Sequence, residues 1–139
     1  MAGASTYTKN NILKALLQGT SFPLPAGTWI SLHTADPGAT GASEVLTSDW
    51  PAYVRRKAEA SGALGTGWTT PSTGVSTNTN QLTFPSHDGV APVTVTHFAI
   101  WDDAASGNCL ESAALTTPRA LAVGDILVFD VSSLSVTVS

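Results

Sequence analysis

The sequence predicts a mainly β protein: an antiparallel β-sandwich or jelly-roll-like domain with one short N-terminal helix. Three observations carry this expectation. From Thr28 onward apolar residues alternate with polar ones in short runs; the runs are separated by segments rich in Gly, Pro, Ser and Thr; and helical spacing occurs only near the N-terminus. With 139 residues the chain has the length of one domain, read as an N-terminal arm and helix over 1–22 and a β body over 23–139. At that size a single core can bury roughly two thirds of the surface of the unfolded chain.

The helix is expected within Thr8 to Gly19, where Ile12, Leu13, Leu16 and Leu17 share one stripe of a 3.6-residue period. Thr6 or Thr8 can cap its start, and Gly19 can take the left-handed conformation that ends it. The stripe either closes one end of the core or docks on a neighbouring subunit. Pro23 and Pro25 then forbid helix. Thr28 to His33 reads as a strand, with Ile30 and Leu32 on one face and Trp29, Ser31 and His33 on the other. A loop follows over 35–51. Tyr53 to Ala60 alternates as an exposed strand would, and 61–80 is again loop-like apart from Trp68.

The second half is more strongly β. Gln81 to Phe84 forms a short strand stopped by Pro85, and Val93 to Trp101 is the longest run, apolar on both faces near its end as a central strand is. Asp102 to Asn108 turns the chain into a return strand from Cys109 to Leu115. After Pro118, Ile126 to Val131 and Leu134 to Val138 are separated only by Ser132 and Ser133, which predicts a hairpin.

Composition excludes several function classes. Only 12% of residues are charged, and the net charge is −4. Three of the six basic residues are adjacent (Arg55, Arg56, Lys57), so no broad basic face is expected for nucleic acid. One cysteine, Cys109, allows neither an internal disulfide nor a cysteine-based zinc site. Lys9 and Lys14 interrupt the only apolar stretch near the N-terminus, so neither a signal peptide nor a membrane span is expected. A surface rich in Ser and Thr, 34 residues in all, and poor in charge suits contact with other proteins, because few charges need desolvating.

Leu32-His33-Thr34-Ala35-Asp36-Pro37-Gly38 gathers a histidine, a threonine and an aspartate, as a reaction centre would. Consecutive strand residues point to opposite faces, however, so these three cannot form a catalytic set alone. No G-x-S-x-G elbow or P-loop is present, and the three histidines and seven aspartates lack metal-ligand spacing. No catalytic residue, cofactor or metal is therefore assigned. Asp36-Pro37-Gly38 reads as a strand exit whose turn sets the direction of the 35–51 loop. His33 and Thr34 are expected to satisfy backbone groups there.

Candidate interface residues are Ile12 and Leu16 on the helix, Asp36 and Pro37 in the turn, and Trp50 and Trp68 as loop aromatics. Arg55 and Arg56 join them, either gripping an acidic neighbour or guarding a solvated edge strand.

Several motifs occur in a fixed order: the LHTADPG stretch followed by Gly41 and Glu44; Tyr53-x-Arg55; Thr96-His97-Phe98-Ala99-Ile100-Trp101-Asp102; Ala114-Leu115-x-x-Pro118; and Gly124-Asp125-x-Leu127-x-Phe129. In these the chain resembles a family of small tailed-bacteriophage virion proteins often labelled tail fibre proteins. The resemblance implies a non-enzymatic component of the virion, made in the bacterial cytoplasm. The station favoured is the head surface, as a capsid decoration (cement) protein and a homo-oligomer, with a trimer preferred. Its expected partners are the major capsid protein or other virion subunits, with no direct nucleic acid or membrane contact. Contacts are expected from residues 1–22 and from the loops 35–51 and 61–80. The alternative is a tail, baseplate or fibre-attachment protein, and a third reading is a carbohydrate-binding module using Trp50 and Trp68.

Overall fold

The computed structural model describes residues 2–60 and 62–138. The elements are a helix α1 (Thr6–Gln18) and strands β1 (Trp29–His33), β2 (Arg56–Lys57), β3 (Val75–Thr77), β4 (Leu82–Thr83), β5 (Val93–Trp101), β6 (Cys109–Leu121), β7 (Val128–Phe129) and β8 (Ser135–Thr137). The fold is mainly β and antiparallel with one short helix, as the alternation predicts. A four-stranded sheet runs β2-β1-β5-β6, and two ribbons, β3-β8 and β4-β7, form a second layer.

The register explains the core. Ile30 pairs with Ile100 and Leu32 with Phe98, so all four point to one face. There they pack with Phe84, Leu127, Phe129 and Leu134 from and beside the ribbons. The intervening pairs, Trp29 with Trp101, Ser31 with Ala99 and His33 with His97, point to the other face. That face is covered too, because the chain after β1 folds back across it. Gly41 comes so close to the Trp101 ring that a Cβ would lie 2.5 Å from it, and its φ of +80° suits only glycine.

β6 is an edge strand, and its first part is protected by the N-terminal arm. Ala4 bridges Glu111, Ser5 N donates to Leu110 O, and Ser112 N donates to Gly3 O. Ser5, rather than Thr6 or Thr8, caps α1 by accepting from Thr8 N at 3.1 Å, and Gly19 ends it with φ +66° as expected. Thr8 Oγ1 anchors the first turn to Leu110 O at 2.7 Å.

The structure corrects four expectations about elements. β6 does not stop before Pro118: the register jumps between the Val95–Arg119 and His97–Ala114 pairs, and Pro118 lies in the bulge, where no ladder bond needs its absent N–H. The strand read from Tyr53 to Ala60 shrinks to Arg56–Lys57. The 61–80 segment contains β3, which is paired with β8. The two C-terminal strands do not form a hairpin with each other, because β7 pairs with β4 and β8 with β3. Asn78, 1% exposed, diverts the link between them. Its amide donates to Asp130 O and Asn80 O and accepts from Leu134 N, while its backbone carbonyl accepts from Ser132 N. The side chain thus takes up the bonds that a hairpin would otherwise have made.

Candidate assembly interface

The motif residues meet in one buried polar network. Arg55 is its hub, with a side chain only 6% exposed. Its guanidinium grips Glu44 in a fork, Nε to Oε1 at 2.9 Å and Nη2 to Oε2 at 2.7 Å. Nη1 donates to the carbonyls of Asp103 and Ser106, and the same group stacks over Trp101 at 3.8 Å. Tyr53 donates its hydroxyl to Glu44 Oε1 and accepts from Leu32 N, both at 2.9 Å. Desolvation alone would raise the Glu44 carboxyl. The bonds and charge of Arg55, helped by the Tyr53 hydroxyl, outweigh it and hold the carboxyl below its ordinary 4.5. One residue pair thereby ties three loops together: the one after β1, the one before β2 and the β5–β6 turn.

On the same face Trp101 Nε1 donates to Ser31 Oγ at 2.7 Å, and Ser31 Oγ lies 2.6 Å from His33 Nε2. His33 Nδ1 lies 2.6 Å from Ala42 O. A carbonyl only accepts, so the proton sits on Nδ1 and Ser31 donates to Nε2. A serine donating to an imidazole is also how a nucleophile is activated, but Ser31 and His33 are 0% exposed and no substrate atom reaches them. Burial holds the imidazole below its ordinary 6.5, keeping it neutral in this chain of bonds. Asp36 behaves as a turn former, accepting from Gly38 N at 2.8 Å. The Cys109 thiol is buried and pushed up to about 12, far from a reactive thiolate. Among the described residues no cluster of His, Cys, Asp and Glu could hold a metal ion.

The candidate interface residues do not share one surface. Leu16 and Asp36 are exposed, while Ile12, Arg56 and Trp68 are half-buried. Three expectations are corrected. Pro37 is buried, its carbonyl accepting from Gly41 N and Ala42 N. Trp50 is 0% exposed, packed against Tyr53 and His87, with Nε1 donating to Ser86 O. Arg55 turns inward, because in a loop-tied body its fork finds Glu44 instead of solvent. Trp68 leans on the core and donates to Thr28 Oγ1 at 2.9 Å. A hollow of about 840 Å³ between residues 41–49 and 90–94 is lined by no aromatic side chain. A sugar face would therefore have nothing to stack on there.

Apolar residues are left in solvent at scattered loop positions such as Val90 and Ile126, but the helix gathers several on one element. Leu13, Leu16 and Leu17 are 53%, 76% and 77% exposed, and Leu24 just beyond is 76% exposed. Among the strands, α1 meets only β6. The stripe legible in the sequence thus closes no core and stands in solvent. Two buried acids went unread: Glu59, which accepts from Thr28 N and Oγ1, and Glu111 on β6. The available signal was their setting, Ala58-Glu59-Ala60 and Leu110-Glu111-Ser112-Ala113, a carboxylate among small and apolar neighbours in a chain with few charges.

The described residues form a β body tied by a buried polar network, with an apolar helix face in solvent. The chain belongs to the family described as podophage GP4 fiber I protein gp80, which it matches over residues 3–137. It is accordingly a bacteriophage structural protein of fibre type, a component of the virion. Comparison with curated proteins found no match. Among the described residues no helix is long and apolar enough to cross a membrane.

Proposed function

We propose that this chain is a non-enzymatic subunit of the tail fibre apparatus, incorporated into the particle through α1. The observation that carries this reading is the unpartnered stripe of Leu13, Leu16 and Leu17, which gathers exposed apolar side chains on one face of one element. Soluble proteins rarely leave such a face bare unless something covers it. The exposed parts of the three side chains amount to roughly two full leucines, or about 3–6 kcal/mol if buried. Association costs about 4–15 kcal/mol in lost freedom, so one helix alone makes a weak contact. Repetition in a multi-copy assembly makes it a firm one.

The family description supports the tail alternative. The head-surface station favoured on the sequence, with the major capsid protein as partner, gains no support from it, and tail subunits take its place as expected partners. The sugar-binding reading loses one of its two aromatics with the burial of Trp50. Two measurements test the proposal. Gel densitometry of purified particles should give tens of copies per virion or fewer, whereas hundreds would return the protein to the head lattice. Particles grown with the doubly substituted Leu16→Asp, Leu17→Asp chain should lack it although the chain stays folded; normal incorporation would sink the role of α1.

A further inference from the structure

We infer that the helix stripe is received by a second copy of this chain, in a pocket between β6 and the β3-β8 ribbon. The inference rests on the reading of α1 as the assembly surface and names its occupant. The pocket is about 230 Å³, with Trp68, Ile100, Leu110 and Val136 as apolar walls and Thr28 and Glu111 beside them. It lies on the core-facing side of the sheet's edge, where the ribbon leaves part of the apolar surface uncovered.

Glu111 makes this pocket unusual. The residue is 5% exposed, its Oε1 accepts from Ser112 N, and its Oε2 is buried without a hydrogen-bond partner. Burial pushes the carboxyl up to about 7, against the bond from Ser112 and the charge of Lys9 in the same copy. Buried polar atoms are ordinarily paired, so an unpaired one beside an apolar pocket marks a place where a donor is missing.

The same chain carries the complement. α1 has two lysines, Lys9 and Lys14, and no acid, a charge of +2; with the whole chain at −4, the remainder carries −4 − 2 = −6. A cationic apolar helix and an anionic body with an apolar pocket attract each other between copies. Within one copy α1 touches β6, the strand that carries Glu111, but its leucines stay exposed and line no part of the pocket. Lys14 flanks the stripe, one residue from Leu13 and three from Leu17, so a helix seated by its leucines brings an ammonium group near Glu111. Size points the same way. A stripe of this area falls well short of the roughly 800 Å² per partner of a stable interface. A closed ring in which each copy gives one helix and accepts another uses every helix and every pocket, and doubles the contact per subunit.

The test uses the full chain in solution. Sedimentation equilibrium should show a concentration-dependent, defined oligomer. Leu16→Asp, at an exposed position that leaves folding intact, should raise its dissociation constant at least about tenfold, and Glu111→Gln should raise it several-fold. The double variant Leu17→Cys, Ser76→Cys should form intermolecular disulfides on mild oxidation well above either single variant. A monomer at every concentration, an oligomer indifferent to Leu16→Asp, or cross-linking no better than the single variants would overturn the inference. A monomeric chain whose helix variant is still lost from particles would overturn it while leaving α1 as the attachment surface for another subunit. A helix-dependent oligomer whose helix variants enter particles normally would support self-association and remove the attachment role instead.

Discussion

Replacing Arg55 by methionine keeps an apolar stem over Trp101 but removes the guanidinium that holds Glu44, Asp103 and Ser106 together. The carbonyls of Asp103 and Ser106 lie in an exposed turn and turn to water at little cost. Glu44 does not have that freedom, because its side chain is only 23% exposed and it loses both bonds of the fork. Removing one partner of a buried pair costs about 3–5 kcal/mol, and partial hydration of Glu44 puts the expected loss near the lower end, about 3 kcal/mol. With a urea m-value of about 1–3 kcal/mol/M, the midpoint should fall by roughly 1–3 M at unchanged slope. Adding Glu44→Leu to Arg55→Met should restore part of the loss, a coupling of about 1.5 kcal/mol or more.

The pH dependence gives an independent check. The Glu44 carboxyl is depressed in the folded state, so its contribution is present above 4.5 and is lost as the pH falls through its folded value. That acid-linked loss should shrink in Arg55→Met, where desolvation is no longer opposed. A single substitution costing under about 1 kcal/mol, or a strictly additive double variant, would mean that Arg55 is an ordinary surface ion pair and that the loops are held by something else.

Gly41→Ala puts a methyl group 2.5 Å from the Trp101 ring at a φ of +80°, and strain plus overpacking should cost about 3 kcal/mol, read as a melting temperature lower by roughly 10 °C. Trp50→Phe leaves the Ser86 carbonyl without its donor and a space beside Tyr53 and His87, for an expected loss of about 2–3 kcal/mol by urea denaturation. Glu111→Gln should act in the opposite sense to the Arg55 change. A carboxyl raised from 4.5 to about 7 binds its proton more tightly when folded, so the wild-type chain loses stability as the pH climbs through that window. The glutamine variant should therefore match it near pH 4 and exceed it by about 1–3 kcal/mol at pH 8, measured on the unassociated chain.

Local pattern was enough for much of the fold. Val93–Trp101 was legible to the residue, because a central strand must be apolar on both faces, and Trp29–His33 differed from its reading by one residue. The Asp102 to Asn108 turn and the Gly19 stop follow from turn and cap chemistry that reaches only a few residues. The short ribbons were harder. Their strands are two or three residues long, and their partners lie 45 to 62 positions away in sequence, so alternation could find them but not pair them. Asn78 decided that pairing through a side chain that no periodicity reports.

The candidate site divides along the same line. The sequence by itself determined that α1 carries a leucine stripe, that the chain is mainly β, and that Asp36-Pro37-Gly38 turns the chain out of a strand, since these depend on the spacing of neighbours. Only the tertiary structure decided that the stripe is bare, that Trp50 and Arg55 point inward, and that Glu44, Tyr53, Arg55 and Trp101 form one clamp. Burial depends on what the rest of the chain brings to a residue's other side, and a linear pattern records which faces are apolar without recording which of them are covered.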